Sequence, residues 1–119
     1  MTDVHTLERE LNDEILSGRI LEAFERFYAD DVEMREGSLE PTRGKEANRE
    51  RERQFVESIG EFHGAGVTAA AVDRDTGMSE WWMDVTFKDG TRKRLEQVAV
   101  RKWRDGRVAS ERFYHDTAG

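Results

Sequence analysis

Two Asp-Gly dipeptides, Asp89-Gly90 and Asp105-Gly106, constrain the fold of this chain more than any other feature. Each dipeptide separates two segments rich in β-branched and aromatic residues, and an Asp-Gly pair favours a two-residue type I′ turn between antiparallel strands. The second half of the chain is therefore predicted to form a meander of hairpins. The predicted strands are residues 67–73, 78–87, 91–103 and 107–115.

The first half of the chain shows helical spacing instead. Apolar residues between Val4 and Ile15 recur every three or four positions, and Gly18 follows as a stop signal. Residues 21–27 predict a short second helix, and residues 45–62 predict a third. Three helices ahead of a run of strands place the chain in the α+β class, with the helices packed on an antiparallel sheet.

Composition limits the size of the core and the kinds of partner. The chain has 119 residues, which suits one domain over residues 1–119, and 36% of them are hydrophobic while 38% are charged. The net charge of -7 disfavours nucleic acid and anionic membranes as partners, because a negative field repels both. There is no cysteine and no apolar run of signal-peptide length, so a cytoplasmic protein is expected.

Three short segments carry a family resemblance. They are residues 27–36 (Phe-Tyr-Ala-Asp-Asp-Val-Glu-Met-Arg-Glu), Thr42-Arg43-Gly44 at the head of the third helix, and the closing run 105–116. Together they resemble the SnoaL-like branch of the nuclear-transport-factor-type superfamily. The resemblance implies a strongly curved sheet that forms a cone with a pocket. That superfamily includes ketosteroid isomerases, polyketide cyclases and association domains without catalysis.

The two predicted turns determine which side chains share a face of the sheet. With two-residue loops, Trp81 pairs with Val98, and Val98 pairs with Phe113. This more apolar face is assigned to the concave side. The opposite face is expected to form a homodimer contact through Trp82, Gln97, Arg101, Trp103 and Tyr114.

A pocket for a small hydrophobic molecule is expected between the helices and the concave face. Asn48, Arg51 and Glu52 lie on or near the stripe of the third helix that faces the sheet, so Arg51 is a candidate for holding an oxygenated ligand. A solvated helix with internal ion pairs is the alternative. The expected lining residues are Phe24, Phe27, Phe55, Ile59, Trp81, Met83, Val98, Phe113 and Arg51.

The resemblance also indicates candidate catalytic residues. Glu36 falls where ketosteroid isomerases place the carboxylate that moves a proton, although the positions of their oxyanion donors are occupied here by Leu11 and Ala99. SnoaL-type cyclases use a carboxylate on the last strand, which corresponds to Glu111. His115 lies two residues further along than Phe113 and on the same predicted face as Glu111, so both side chains are expected to point inward.

Each candidate has a structural alternative. Glu36 sits beside Arg35 and Gly37 and suits an exposed turn, while His115 could form a salt link with Glu96 at the rim. No His-x-x-x-His pattern is present, and neither a metal nor a cofactor is expected. The sequence thus favours a cofactor-independent isomerase or cyclase acting on a hydrophobic carbonyl compound. The alternative is a ligand-binding or dimeric association module without catalysis.

Overall fold

The computed structural model describes residues 2–115, which form three helices and six strands. The predicted α+β class, with helices packed on a curved sheet, is confirmed. None of the described helices is long and apolar enough to span a bilayer. The elements are α1 Val4–Leu16, α2 Ile20–Phe27, β1 Tyr28–Glu36, β2 Thr42–Arg43, α3 Lys45–Ser58, β3 Ile59–Asp73, β4 Thr76–Phe87, β5 Arg92–Arg104 and β6 Arg107–His115.

The strands form one sheet in the order β2-β1-β6-β5-β4-β3. Strands β3 to β6 are the predicted antiparallel meander. One pair departs from the prediction, because β1 and β6 run parallel, with Glu36 opposite Phe113. Parallel neighbours need a long crossover, and α3 with four strands lies between these two. The crossover brings the end of β1 beside the end of β6.

The first two helices pack on the closed end of the sheet. Helix α1 begins after Asp3, whose carboxylate accepts a hydrogen bond of 2.8 Å from the Thr6 N–H, as a capping residue should. Its Leu11 is fully buried with Phe24 and Phe27 of α2 against Val108. This cluster closes the narrow end of the fold.

Helix α3 ends at Ser58, four residues before the predicted end. The next residue, Ile59, already pairs with Phe87 of β4, and the Lys88 N–H donates to the Ser58 carbonyl at 2.8 Å. From Ile59 onward the chain therefore forms sheet hydrogen bonds with β4, although the apolar spacing alone predicts that the helix continues. Ile59 and Phe62 become strand residues.

The two Asp-Gly turns differ from each other. Asp105 and Gly106 both have positive φ, and Arg104 pairs with Arg107, so the second turn is the predicted two-residue loop. In the first, only Gly90 has positive φ, and the Phe87 N–H donates to the Thr91 carbonyl. The first loop therefore contains three residues, 88–90.

Because of that extra loop residue, the side chains of β5 lie on the faces of the sheet opposite to the predicted ones. Trp81 pairs with Gln97 instead of Val98, and a bulge next to Lys102 lets Arg101 pair with Glu111. A shift of one residue moves every side chain of a strand to the other face. The inward prediction for Val98 is therefore wrong.

The same shift corrects the predicted dimer face. Arg101 and Trp103 are only 2% and 4% exposed, and Gln97 lines the interior pocket, so these three do not lie on the outer face. Trp82 and Tyr114 keep their predicted outward positions.

Candidate functional site

A pocket of about 260 Å³ lies between α3 and the concave face of the sheet. Its walls combine apolar side chains with a cluster of charged ones. The lining residues are Ile15, Ile20, Tyr28, Met34, Glu36, Asn48, Arg51, Glu52, Phe55, Trp81, Met83, Leu95, Gln97, Arg101, Glu111 and Phe113.

Five of the nine predicted lining residues are in place: Phe55, Trp81, Met83, Phe113 and Arg51. The other four lie elsewhere, each for a structural reason. Phe24 and Phe27 are buried in the cluster that closes the narrow end, where α2 meets Trp103 and Val108. Ile59 is paired at the start of β3, and Val98 faces outward because β5 is turned over.

A buried ionic network forms the floor of the pocket. The Arg101 guanidinium donates from Nε to Glu111 at 2.7 Å and from Nη1 to Glu8 at 2.8 Å. All three side chains are about 2% exposed. Because charges removed from water must be compensated, the two carboxylates and the guanidinium depend on one another.

Neutral donors complete this network. The Tyr28 hydroxyl donates to Glu111 at 2.5 Å, while the Trp103 indole N–H and the Ser79 hydroxyl donate to Glu8 at 2.9 and 2.6 Å. Gly77 lies against the Glu8 carboxylate so closely that a Cβ there would overlap it. The site is thus assembled from α1, β1, β4, β5 and β6.

Burial and charge shift the pKa values of the network. Burial raises the pKa of Tyr28 well above its usual value, and the adjacent Glu111 charge raises it further. Burial alone would lower the pKa of Arg101, but the negative charges of Glu111 and Glu8 raise it. Tyr28 is therefore a neutral donor and Arg101 a fixed cation at physiological pH.

Glu36 lines the pocket and contacts His115, which is not itself a lining residue. His115 Nε2 lies 3.2 Å from one Glu36 oxygen, and Arg51 lies 3.6 Å from the other. The parallel pairing of β1 with β6 makes this contact, because it brings the last residues of both strands together. Of the three predicted catalytic residues, two are adjacent, and Glu111 lies deeper with Arg101.

Glu52 lies on α3 and faces the same pocket, half-buried. Among the described residues it makes neither a salt bridge nor a side-chain hydrogen bond, unlike its helix neighbours Arg51 and Arg53. Burial raises the pKa of Glu52 to about 7, with the charge of Glu111 as the next cause. This carboxyl group changes charge near neutral pH.

Two buried polar atoms of the lining residues have no hydrogen-bond partner among residues 2–115. They are the Trp81 indole N–H, a donor, and the Asn48 side-chain oxygen, an acceptor. The Asn48 amide nitrogen is fully used, since it donates to the carbonyls of Val32, Thr42 and Gly44. Buried atoms of this kind are rare in folded proteins.

The family of the chain follows from comparison with known proteins. A family model described as the SnoaL-like domain matches residues 5–115. This chain belongs to the SnoaL-like domain family. No curated protein matches it. Within residues 2–115 of this SnoaL-like domain, no group of three His, Asp or Glu side chains is arranged to hold a metal ion.

Solved structures of related proteins share the fold. A proposed SnoaL-like polyketide cyclase [carbohydrate phosphatase] from Mesorhizobium loti is 28% identical, with 97% of this chain and 100% of that chain covered and a TM-score of 0.85. An NTF2-like protein of unknown function from Burkholderia pseudomallei is 18% identical, with coverages of 99% and 94% and a TM-score of 0.82. A proposed isomerase from Rhodopseudomonas palustris is 17% identical, with coverages of 99% and 92% and a TM-score of 0.77.

The sequence does not indicate the roles of Arg101, Tyr28 and Glu8 in this SnoaL-like domain. Arg101 is predicted on the outer face, but the structure buries it with Glu8 and Tyr28. One signal was available for α3: Asn48, Glu52 and Phe55 are spaced three or four residues apart, which places them on one side of a helix. That spacing correctly indicated a polar roof over the pocket.

Proposed function

We propose that this SnoaL-like domain is a cofactor-independent enzyme that moves a proton on a small hydrophobic carbonyl compound. The observation that carries the proposal is the contact of 3.2 Å between His115 and Glu36, which lines a largely apolar pocket. A carboxylate that holds an imidazole is a common acid–base arrangement, because histidine gains and loses a proton near neutral pH.

The proposed reaction assigns a role to each member of the pair. When His115 Nε2 carries the proton that bonds Glu36, its Nδ1 is the free basic nitrogen. Nδ1 accepts a proton from the carbon next to the carbonyl, and the C–H electron pair moves to give an enolate. The imidazolium, stabilised by Glu36, then returns the proton to carbon.

The enolate oxygen needs donors that are not already used. Arg101 lines the pocket with Nε and Nη1 engaged, which leaves the two N–H groups of Nη2 for a ligand. Preorganised donors of this kind stabilise charge that develops in a transition state. They replace the oxyanion positions that Leu11 and Ala99 occupy with apolar side chains.

Glu111 has a positioning role in this proposal. Both of its oxygens are held, one by Tyr28 and the other by Arg101, at the floor of the pocket. Its replacement would release the guanidinium that faces the ligand. Glu111 as the base itself, the other expectation from the sequence, is tested by the same assay.

The test is deuterium exchange at the α carbon of phenylacetone and cyclohexanone in D2O, followed by NMR. These probes suit a pocket of about 260 Å³, which lies below the usual range of roughly 300–1,000 Å³. Glu36→Gln and His115→Gln should each slow exchange by about 100-fold or more, while the exposed His5→Gln should leave it unchanged.

Three outcomes count against parts of the proposal. Unchanged exchange in both Glu36→Gln and His115→Gln would rule out Glu36 and His115 as the acid–base pair. Loss of exchange in Glu111→Gln alone would move the base to the floor. Saturable binding with no exchange of any ketone would favour the ligand-binding module, which the ion-paired floor also suits.

We also propose a homodimer through the outer face of the sheet. Met78 and Tyr114 are 45% and 46% exposed there, and Val100 and Val98 pair across the strands with them. An apolar stripe of this kind on a charged surface suits contact with a second copy. Light scattering should show a dimer that Val98→Glu converts to a monomer. A monomeric wild type would contradict the proposal.

The cytoplasmic location and the absence of a cofactor stay predictions from the sequence.

A further inference from the structure

We propose that the side-chain amide of Gln97 donates a hydrogen bond to the carbonyl oxygen of the ligand, beside Arg101, and so brings the reacting carbon toward His115. The inference adds a residue that touches the substrate, and it rests on the proposed function for the reaction itself. Hydrogen bonding to the carbonyl is measured without turnover, so the two proposals can fail separately.

Gln97 lies in the middle of one row of residues across the sheet. It pairs with Trp81 of β4 on one side and with His115 of β6 on the other. The Cβ atoms of residues directly opposite each other in an antiparallel sheet are about 4.5–5.5 Å apart, and their side chains share a face. The Gln97 side chain therefore stands next to the residue that the proposed reaction uses as its base.

The Gln97 amide is available to a ligand. The residue lines the pocket and is half-buried. None of the described residues forms a hydrogen bond with its side chain, whereas the other glutamine of the chain, Gln54, donates to Glu50 at 3.3 Å. A glutamine amide nitrogen carries two N–H donors. Both donors of Gln97 are left to water or to a ligand.

Arg101 approaches the same row from the floor of the pocket. It lies four residues after Gln97 in β5, on the same face, and only the methyl side chain of Ala99 separates them on that face. The Arg101 guanidinium carbon lies 6.0 Å from the centre of the Trp81 ring, and Trp81 is the strand partner of Gln97. The Gln97 amide and the unengaged Nη2 of Arg101 thus supply donors from neighbouring inward positions of one strand.

The rows on either side of Gln97 are apolar. Met83 pairs with Leu95 in one adjacent row, and Ala99 pairs with Phe113 in the other. A polar amide between two apolar rows matches a carbonyl group that has hydrocarbon on both sides. The arrangement therefore favours an internal ketone over a carboxylic acid, whose polar group lies at the end of the molecule.

A donor beside the base suits proton transfer next to a carbonyl. The oxygen and the reacting carbon of a ketone are two bonds apart, so donors and a base on adjacent residues can contact both. As His115 takes the proton, the electron pair of the C–H bond moves toward the oxygen, which becomes a stronger acceptor. The hydrogen bond from Gln97 then strengthens, and interactions that strengthen in the transition state raise the rate.

The first test uses the wild-type protein alone. In a ¹⁵N NMR titration with phenylacetone, the side-chain amide signals of Gln97 should shift with saturation, because one N–H gains a carbonyl acceptor. Gln54 is the internal control, since it is exposed on α3 and does not line the pocket, and its signals should stay in place. Gln97 signals that do not move during the titration would overturn the inference.

A variant then tests the carbonyl contact directly. Hydrogen bonds to a carbonyl lower its stretching frequency, so infrared spectra of bound phenylacetone labelled with ¹³C at the carbonyl should show a lower frequency in wild type than in Gln97→Leu. Gln97→Leu should also slow α-carbon exchange by about 100-fold, as expected for removal of one oxyanion donor. Its affinity for the ketone should stay within about threefold, because the bond is stronger to the enolate than to the ketone.

The matched control is Gln54→Leu, which makes the same chemical change outside the pocket and should leave the frequency, the affinity and the exchange rate unchanged. Equal carbonyl frequencies in folded Gln97→Leu and wild type would contradict the inference. If exchange depends on Glu36 and His115 but not on Gln97, only the role of Gln97 is wrong. If the carbonyl frequency depends on Gln97 and no ketone exchanges, only the proposed reaction is wrong.

Discussion

Replacing Glu52 with Gln should stabilise the protein in a pH-dependent way. In the folded protein the pKa of Glu52 is raised from 4.5 to about 7, mainly by burial. Between these two pH values the folded state binds more protons than the unfolded state, so the Glu52 contribution destabilises the fold as pH rises. Above pH 7 the whole cost of the buried charge is present, and below pH 4.5 none is.

The magnitude follows from the size of the pKa change. At about 1.36 kcal/mol per pKa unit, the rise from 4.5 to about 7 sets an upper bound of about 3 kcal/mol. Glu52 is only half-buried, and solvent screening reduces the expected effect to about 1–2 kcal/mol. Gln keeps the shape of the side chain without a charge, so Glu52→Gln should gain this amount at pH 8 and nothing at pH 4.5.

Urea unfolding at pH 4.5, 6, 7 and 8 measures the difference directly. Other carboxyl groups titrate in both proteins, so subtracting the wild-type free energy of unfolding isolates position 52. Glu57→Gln serves as the control and should stay within about 0.5 kcal/mol of wild type at every pH. A Glu52→Gln variant that is less stable than wild type at pH 8, or equally stable throughout, would refute the reasoning.

Two further predictions concern the floor of the pocket. Arg101→Met should lower the free energy of unfolding, measured in urea, by about 3–5 kcal/mol, because Glu8 and Glu111 would remain buried without their shared cation. A loss below about 1 kcal/mol would show that the two carboxylates do not depend on Arg101. Gly77→Ala should lower it by about 1–3 kcal/mol, since the added methyl overlaps the Glu8 carboxylate, and a neutral result in thermal unfolding would contradict that packing.

The general architecture was predictable because it depends on local signals. The helical spacing in α1 and the Asp105-Gly106 turn are properties of a few neighbouring residues, and the structure shows both. The Asp89-Gly90 turn shows the limit of such signals. The same dipeptide forms a three-residue loop there, and that one residue moved Arg101 from the predicted surface to the interior.

The site was only partly predictable because its contacts are distant in sequence. Glu36 and His115 are joined through the parallel pairing of β1 with β6, and no local pattern indicates which strand a given strand will pair with. The buried position of Glu8 likewise depends on the register of β5. Glu52 was placed correctly on the pocket side of α3, but its lack of a cation partner required the positions of Arg51 and Arg101.

The most direct test of the central claim, that a small molecule binds between α3 and the sheet, uses the indole N–H signals of the three tryptophans. In a ¹⁵N NMR titration with phenylacetone, the Trp81 indole should shift with saturation, because it lines the pocket and has no partner among the described residues. Trp103, bonded to Glu8, and Trp82, on the outer face, should move little. A shift confined to Trp82, or no shift at all, would contradict the account.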